Sequence, residues 1–412
     1  MSAPEPEPRI ARFESLAYGM FVHWGVFSLN ERCVWAMHPK RYPIEDYIEQ
    51  TKRFTAEAFD PREWAATARR SGMRYMTLTT RQHDGFSMYD TRGLSEYDAV
   101  HAGPGRDLIA EFVEGCRSQG IEPFFYHTTY DWYQPSFAED FDAYLDYLHQ
   151  SIEILCTHYG KVGGFWFDGN WSKPEADWKE DRLYGIIRRL QPQAVIVNNT
   201  GVDARGALGH PGIDCVTFEQ GHPTAMDRSG MDKYVAVEMC ESMNSFWGHT
   251  PSDYNYLSPK GIIEELCACR GVGANYLLNI GPKPDGSLPA YESSAFERAG
   301  GWVECHAPLI YEGRPAAVQC PGRDVALEWD GKVYLFVYDI RPRPDEHVAT
   351  GVTGHGPRRY RGIDGSVAQV RWMHNGEALE FEQDDDGELT LQVTPYPWGV
   401  NMVVRVAELT LK

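Results

Sequence analysis

Hydrophobic and polar positions along this 412-residue chain follow two different textures. From residue 18 to about 303, short apolar runs of strand length alternate with longer segments whose apolar residues recur at helical spacing. YGMFVHWG (18–25) reads as a strand, PREWAATARRSG (61–72) as a helix opened by proline and closed by glycine, and MRYMTLTT (73–80) as the next strand. The rhythm returns in DLIAEFVEGCRSQG with IEPFFYHT, in FAEDFDAYLDYLHQSIEILCTHYG with VGGFWFD, and in DWKEDRLYGIIRRLQP with AVIVNN. Further strands are predicted at IDCVTF (213–218), YVAVEM (234–239) and ANYLLNI (274–280), with a helix at PKGIIEELCACRG (259–271). About eight strands with helices between several of them predict an α/β fold, a distorted (β/α)8 TIM-like barrel, with short or missing helices between 200 and 258.

After WVECHAPLIYEG (302–313) the pattern changes to period-two alternation broken by Asp-Gly and Asn-Gly turns, as in DVALEWDGKVYLFVYD and ALEFEQDDDGELTLQV. This predicts a C-terminal β-sandwich, and hence a barrel over 1–313 and a sandwich over 314–412. The sandwich tryptophans 329, 372 and 398 lie in alternating runs, which suits core positions as well as carbohydrate platforms.

Charge and composition narrow the function classes. The formal charge is −20, from 39 basic and 59 acidic residues with no compact basic cluster, so nucleic acid is not an expected partner. No segment approaches about 18 continuous apolar residues, and the start MSAPEPEPRIARF lacks the pattern of a secretory signal, so no membrane is expected and the cytoplasm is the expected location. Nine cysteines without metal-ligand spacing read as free, mostly buried thiols. The 12 Trp, 23 Tyr and 18 Phe exceed what a core needs and point weakly to ring-shaped ligands such as sugars. No G-x-G-x-x-G or G-x-x-x-x-G-K cradle occurs, so no nucleotide cofactor is expected.

The candidate chemistry lies where the predicted strands end, since a barrel carries its reactive groups at the C-terminal ends of its strands. In GGFWFDGNW (163–171), Asp168 follows three apolar aromatic residues; taken alone, an Asp-Gly there is ordinarily a turn. Other strand ends also carry polar or aromatic groups: His23 and Trp24, then Arg81 to Asp84, then Tyr126 and His127, then Asn198 and Asn199, then Glu219 and Gln220, and Glu238, Glu241, Asn244 and Trp247. A metal site built from His23, His83, His127 and Asp168 lacks H-x-H and H-E-x-x-H spacing, so no metal is expected. A glycosidase needs two carboxylates flanking the anomeric carbon, and Asp168 and Glu219 come from separate strand ends.

LAYGMFVHWGVFS, YMTLTTRQHDGFSMYDT, FWFDG, SFWGH and GVGANYLLNIGPKPDGSLP together resemble the alpha-L-fucosidases of glycoside hydrolase family 29, in matching order over residues 13 to about 313. The resemblance implies a retaining exo-glycosidase that forms a covalent glycosyl-enzyme, with Asp168 as nucleophile. It also implies sugar contacts from His23, His83, Tyr126 and Trp247, and Trp24 and Trp35 are added as substrate-binding candidates. The acid/base is poorly fixed by motif; Glu219 is favoured because it ends a strand run before a glycine-containing loop, Glu241 is the alternative, and Glu238 is expected to brace the site. Three places depart from the family pattern: Gln82 precedes His83, Phe125, Tyr126 and His127 follow the third strand, and FWGH carries Phe246 and His249. Each departure is expected to change a hydrogen-bond partner near the sugar, which leaves room for a related sugar such as an alpha-L-galactoside. Asn279 and Gly281 are expected to be mainly structural. A non-catalytic carbohydrate-binding protein is the reading from another class. The expected partner is a fucosylated oligosaccharide or glycoside, with a homo-oligomer allowed.

Overall fold

The computed structural model describes residues 3–38, 42–344, 347, 351 and 353–412. Eight parallel strands close into a barrel in sequence order: β1 Tyr18–Val22, β2 Tyr75–Arg81, β3 Glu122–Thr128, β4 Gly164–Asp168, β5 Val195–Asn199, β6 Cys215–Glu219, β7 Ala236–Ser242 and β8 Asn275–Ile280. Closure is made by β8 pairing with β1, from Tyr18 opposite Tyr276 to Val22 opposite Ile280. The helices Pro61–Arg70, Leu108–Ser118, Phe141–His158 and Glu180–Leu190 each precede a strand, and aspartate caps the first three through backbone N–H groups of the opening turn. Among the described residues no helix intervenes between β5 and β6 or between β6 and β7, as the irregular spacing after residue 200 predicts.

Alternate residues of each strand fill the barrel, among them Phe21, Tyr75, Phe124, Tyr126, Trp166, Val197, Cys240 and Leu277. Rings this large fit only where a neighbour gives way. A Cβ on Gly19 would meet the Tyr75 ring at 2.4 Å, and one on Gly164 would meet Phe124 at 2.6 Å. At the N-terminal end of the barrel, Asp214 is fully buried and accepts from Arg9, Arg188 and Lys233 at 3.0, 2.5 and 2.7 Å. Burial alone would raise this carboxyl; the three cations reverse that and hold it below the usual carboxylate range.

The C-terminal strands form two antiparallel sheets. One has five strands, ordered Val367–Trp372, Arg405–Leu411, Lys332–Val337, Val325–Trp329 and Arg314–Pro315; the other has Gly356–Tyr360, Leu389–Val393 and Phe381–Gln383. Trp372 is buried in this module's core, where the Arg405 guanidinium lies over its ring, whereas Trp398 is exposed. Contacts divide the chain into two compact units, Met1–Leu257 with Asn275–Arg298, and Ser258–Ala274 with Ala299–Lys412. The helix Pro259–Gly271 thus groups with the C-terminal strands rather than with the barrel residues around it. Its Glu264 pairs with Arg323, and its Gly271 gives room to Val325.

All nine cysteines are free. No helix among the described residues is long and apolar enough to cross a membrane.

Candidate active site

A cleft of about 360 Å3 opens at the C-terminal end of the barrel, lined by Trp35, Gln82, His83, Asp168, Trp171, Glu219 and Trp247 among others. Larger concavities of about 700 Å3 are lined by residues around Trp329 within the C-terminal module and by residues around Cys156 at the other end of the barrel.

Asp168 is the last residue of β4, and its two oxygens are held differently. Oδ1 accepts from the Trp171 indole at 2.8 Å and from Asn199 Nδ2 at 3.2 Å. Oδ2 lies 3.0 Å from the Tyr126 hydroxyl and 3.6 Å from His83 Nε2. The Tyr126 hydroxyl has one proton for two acceptors, since Gln82 Oε1 stands 2.8 Å away. Trp171 was not foreseen from the sequence, although it closes the same stretch as Asp168: a 3-10 turn over Asn170–Ser172 folds its ring back onto the carboxylate.

Glu219 ends β6, with Oε2 accepting from the same Asn199 nitrogen at 2.8 Å and a further bond from Trp247. Two acceptors on one amide nitrogen, at 3.2 and 2.8 Å, stand no more than about 6 Å apart, and about 5 Å if each takes a different hydrogen of the planar group. Burial, followed by the charge of Asp168, pushes the Glu219 carboxyl above its ordinary value, against the opposing pull of Asn199 and Trp247. A carboxyl whose neutral form is favoured by burial, beside a second carboxyl held by several donors, is the arrangement that an acid and a nucleophile need.

The other two candidate glutamates sit elsewhere. Glu238 is buried inside the barrel, accepting from Tyr75 at 2.6 Å and from the Trp166 indole at 2.9 Å, and burial raises its carboxyl to about 7. Trp166 stacks on Tyr126, so Glu238 braces the cleft from beneath. Glu241 has the opposite strand parity and accepts from Tyr276 at 2.8 Å, facing away from the cleft.

His23 follows β1 and points inward, 4.9 Å from the Trp247 ring. Its Nδ1 lies 2.7 Å from Asn279 Oδ1, and the Asn279 amide nitrogen turns to Ser242, so Nδ1 donates and Nε2 is left as an acceptor. Burial lowers His23 to about 3. Asn279, expected to be mainly structural, therefore fixes a tautomer at the cleft. His83 is anchored through Nδ1 to Thr128 at 2.6 Å and is lowered chiefly by burial, against the charge of Asp168. Trp35 packs its ring 5.1 Å from His83 and 5.8 Å from Trp171 as one wall.

Trp24 does not join them. It is fully buried, donates to Lys283 O at 2.9 Å and packs against Phe54, Phe59 and Trp64 behind the barrel wall. Adjacent residues of an extended chain point to opposite sides, so His23 on the inner side puts Trp24 behind the wall. The same parity turns two of the changed positions, Phe125 and His127, away from the barrel interior. His127 is buried on the outer side against Thr80 at 2.9 Å, and Phe125 shares that face with it. Of the changed positions, Gln82 lines the cleft, while Phe246 and His249 lie in the loop after β7 on either side of Trp247, which does line it. Among the described residues no group of three His, Cys, Asp or Glu is arranged to hold a metal ion.

A family model described as alpha-L-fucosidase matches residues 5–308. The chain is 27% identical over 355 residues to the tissue alpha-L-fucosidase of Rattus norvegicus, covering 78% of this chain and 74% of that one. Among solved structures, alpha-L-fucosidase isoenzyme 1 from Paenibacillus thiaminolyticus gives a TM-score of 0.84 at 28% identity, covering 98% of this chain and 99% of that one. The fold is shared with an alpha-L-fucosidase from Bacteroides thetaiotaomicron solved as a trapped covalent intermediate, at a TM-score of 0.82 and 20% identity, covering 100% and 97% of the two chains. With the model matching from residue 5 to residue 308, the chain belongs to the alpha-L-fucosidase family, glycoside hydrolase family 29.

Proposed function

We propose that this protein is a retaining exo-alpha-L-fucosidase in which Asp168 is the nucleophile and Glu219 the acid/base. The observation that carries this reading is the pair of carboxylates on one Asn199 nitrogen, whose 3.2 and 2.8 Å bonds keep the two oxygens within about 6 Å of each other, short of the spacing that leaves room for a water on the second face of the sugar. In the first step Asp168 forms a bond to the anomeric carbon as the glycosidic bond breaks, and the Glu219 proton passes to the leaving oxygen. In the second, Glu219 takes a proton from water as its oxygen displaces Asp168, so that two inversions restore the original configuration. His23, His83, Tyr126 and Gln82 offer donors and acceptors to the sugar hydroxyls, and Trp35, Trp171 and Trp247 offer ring faces. Family membership supports fucose as the sugar. Nine free thiols fit action in the reducing cytoplasm on fucosylated oligosaccharides or glycosides.

The deciding experiment follows a chromogenic alpha-L-fucoside by NMR beside the matching alpha-L-galactoside. Release of alpha-L-fucose as first product is expected. Binding without turnover, or beta-L-fucose first, would overturn the reading; faster turnover of the galactoside would move the specificity to that sugar.

A further inference from the structure

Asn199 is the last residue of β5, directly opposite Asp168 in the strand register and almost wholly buried. Its Nδ2 spends one hydrogen on Asp168 Oδ1 and the other on Glu219 Oε2. Its Oδ1 accepts from the Thr217 hydroxyl at 2.8 Å and from the Gly201 N–H at 3.2 Å. Turning the amide over would set its oxygen against two carboxylates and its NH2 against two donors, so only one orientation satisfies all four partners.

We infer that Asn199 is a positioning residue that sets the spacing of the two carboxylates and, by holding Glu219 Oε2 as an acceptor, keeps the proton destined for the leaving oxygen off that atom. The inference rests on the retaining reading above, and it assigns to one amide the task of holding two acidic groups apart in different roles. A charged side chain at this place would serve one carboxylate at the expense of the other. The neutral amide serves both, because it can donate to an ionised and to a protonated carboxyl without adding charge, the bond to the ionised one being the stronger.

The groups facing Glu219 are Asp168 from β4, Tyr126 from β3, the Cys240 thiol from β7, Trp247 after β7 and Arg205 after β5, whose guanidinium also binds the Glu219 carbonyl oxygen. Removing the Asn199 donor leaves burial and the Asp168 charge opposed by Trp247 and Arg205 alone, so Glu219 should keep its proton to higher pH.

The test measures kcat and kcat/KM against pH on an aryl alpha-L-fucoside for the full-length enzyme and for Asn199→Ala, Asn199→Asp and Thr217→Val, with thermal melts for each. Asn199→Ala is expected to lower kcat roughly 10- to 100-fold with KM changed by less than about threefold, and to move the basic limb of kcat/KM up by about one pH unit. Asn199→Asp, which keeps the shape but adds a third carboxylate, should move that limb further. Thr217→Val, which frees the amide to turn, should move it in the same direction by less. Profiles that superimpose on the parent enzyme's, or losses confined to KM, would overturn the inference. Should the alanine variant melt below the assay temperature, the two isosteric variants decide by the same criteria. A parent enzyme without fucoside turnover would instead defeat the proposed function, so the two failures are distinguishable.

Discussion

Replacing Glu219 by alanine removes the proposed acid of the cleft and little else, which makes the expected loss depend on the substrate. General acid assistance contributes roughly 10²- to 10⁴-fold, equivalent to about 3–5.5 kcal/mol of barrier, but only when the leaving group needs a proton. Glu219→Ala also leaves the Asn199 and Trp247 donors short of one acceptor, a defect felt by every substrate alike. Asn199 keeps its bond to Asp168, so this uniform part should stay below about tenfold. For a dinitrophenyl fucoside, kcat/KM, which reports the glycosylation step, should therefore fall less than about tenfold. For a phenyl or sugar leaving group it should fall roughly 10²- to 10⁴-fold. Azide should then speed the second step on the activated substrate and give a fucosyl azide of retained configuration. Glu241→Ala should leave the ratio between the two substrates unchanged, since Glu241 faces Tyr276 on the outer side of the barrel. The reasoning is refuted if Glu219→Ala depresses both substrates equally and Glu241→Ala shows the leaving-group dependence instead.

Three further outcomes are expected. Prolonged chelation should leave activity unchanged, because the proposed chemistry needs no Lewis acid; loss on chelator treatment with recovery on added zinc or manganese would count against it. His23 should stay neutral with its proton on Nδ1 from pH 8 down to about 4, read from its imidazole nitrogen shifts, because burial lowers it to about 3; a charged ring at pH 5 would contradict the assigned geometry. Asp214→Asn should cost about 3–5 kcal/mol in chemical denaturation at pH 7, since it leaves three cations around a neutral side chain. The folded Asp214 carboxyl lies below its unfolded value, so its contribution is present above about pH 4 and lost as the pH falls further; the gap between parent and variant should shrink in acid, and a gap that widens there would reverse the sign.

All eight barrel strands fall where apolar runs predict them, because a strand buried on both faces must be apolar along its length. The strand-end position of Asp168 and Glu219 was equally legible, since the last residue of a barrel strand is where a polar group can meet solvent and substrate. What the chain alone left ambiguous was parity. Sequence motifs set His23 beside Trp24, Tyr126 between Phe125 and His127, and Asn198 beside Asn199, without saying which member faces inward. Closure of β8 onto β1 fixes one interior for all eight strands at once, and the two-residue period then sends His23, Tyr126 and Asn199 to the inner side, against Trp247 and Asp168 of the cleft, and Trp24 and His127 behind the barrel wall. Trp171 was missed, and Asn199 and Asn279 were read only as a strand-end polar group and a structural residue, for a related reason. Their roles are hydrogen bonds to residues supplied by other parts of the chain, or by a turn that folds back on its own strand. Local sequence determined the strands, their polar tips and the two carboxylates. Only the closed barrel, by bringing distant strand ends to within the reach of a single amide, decided which of those tips act together.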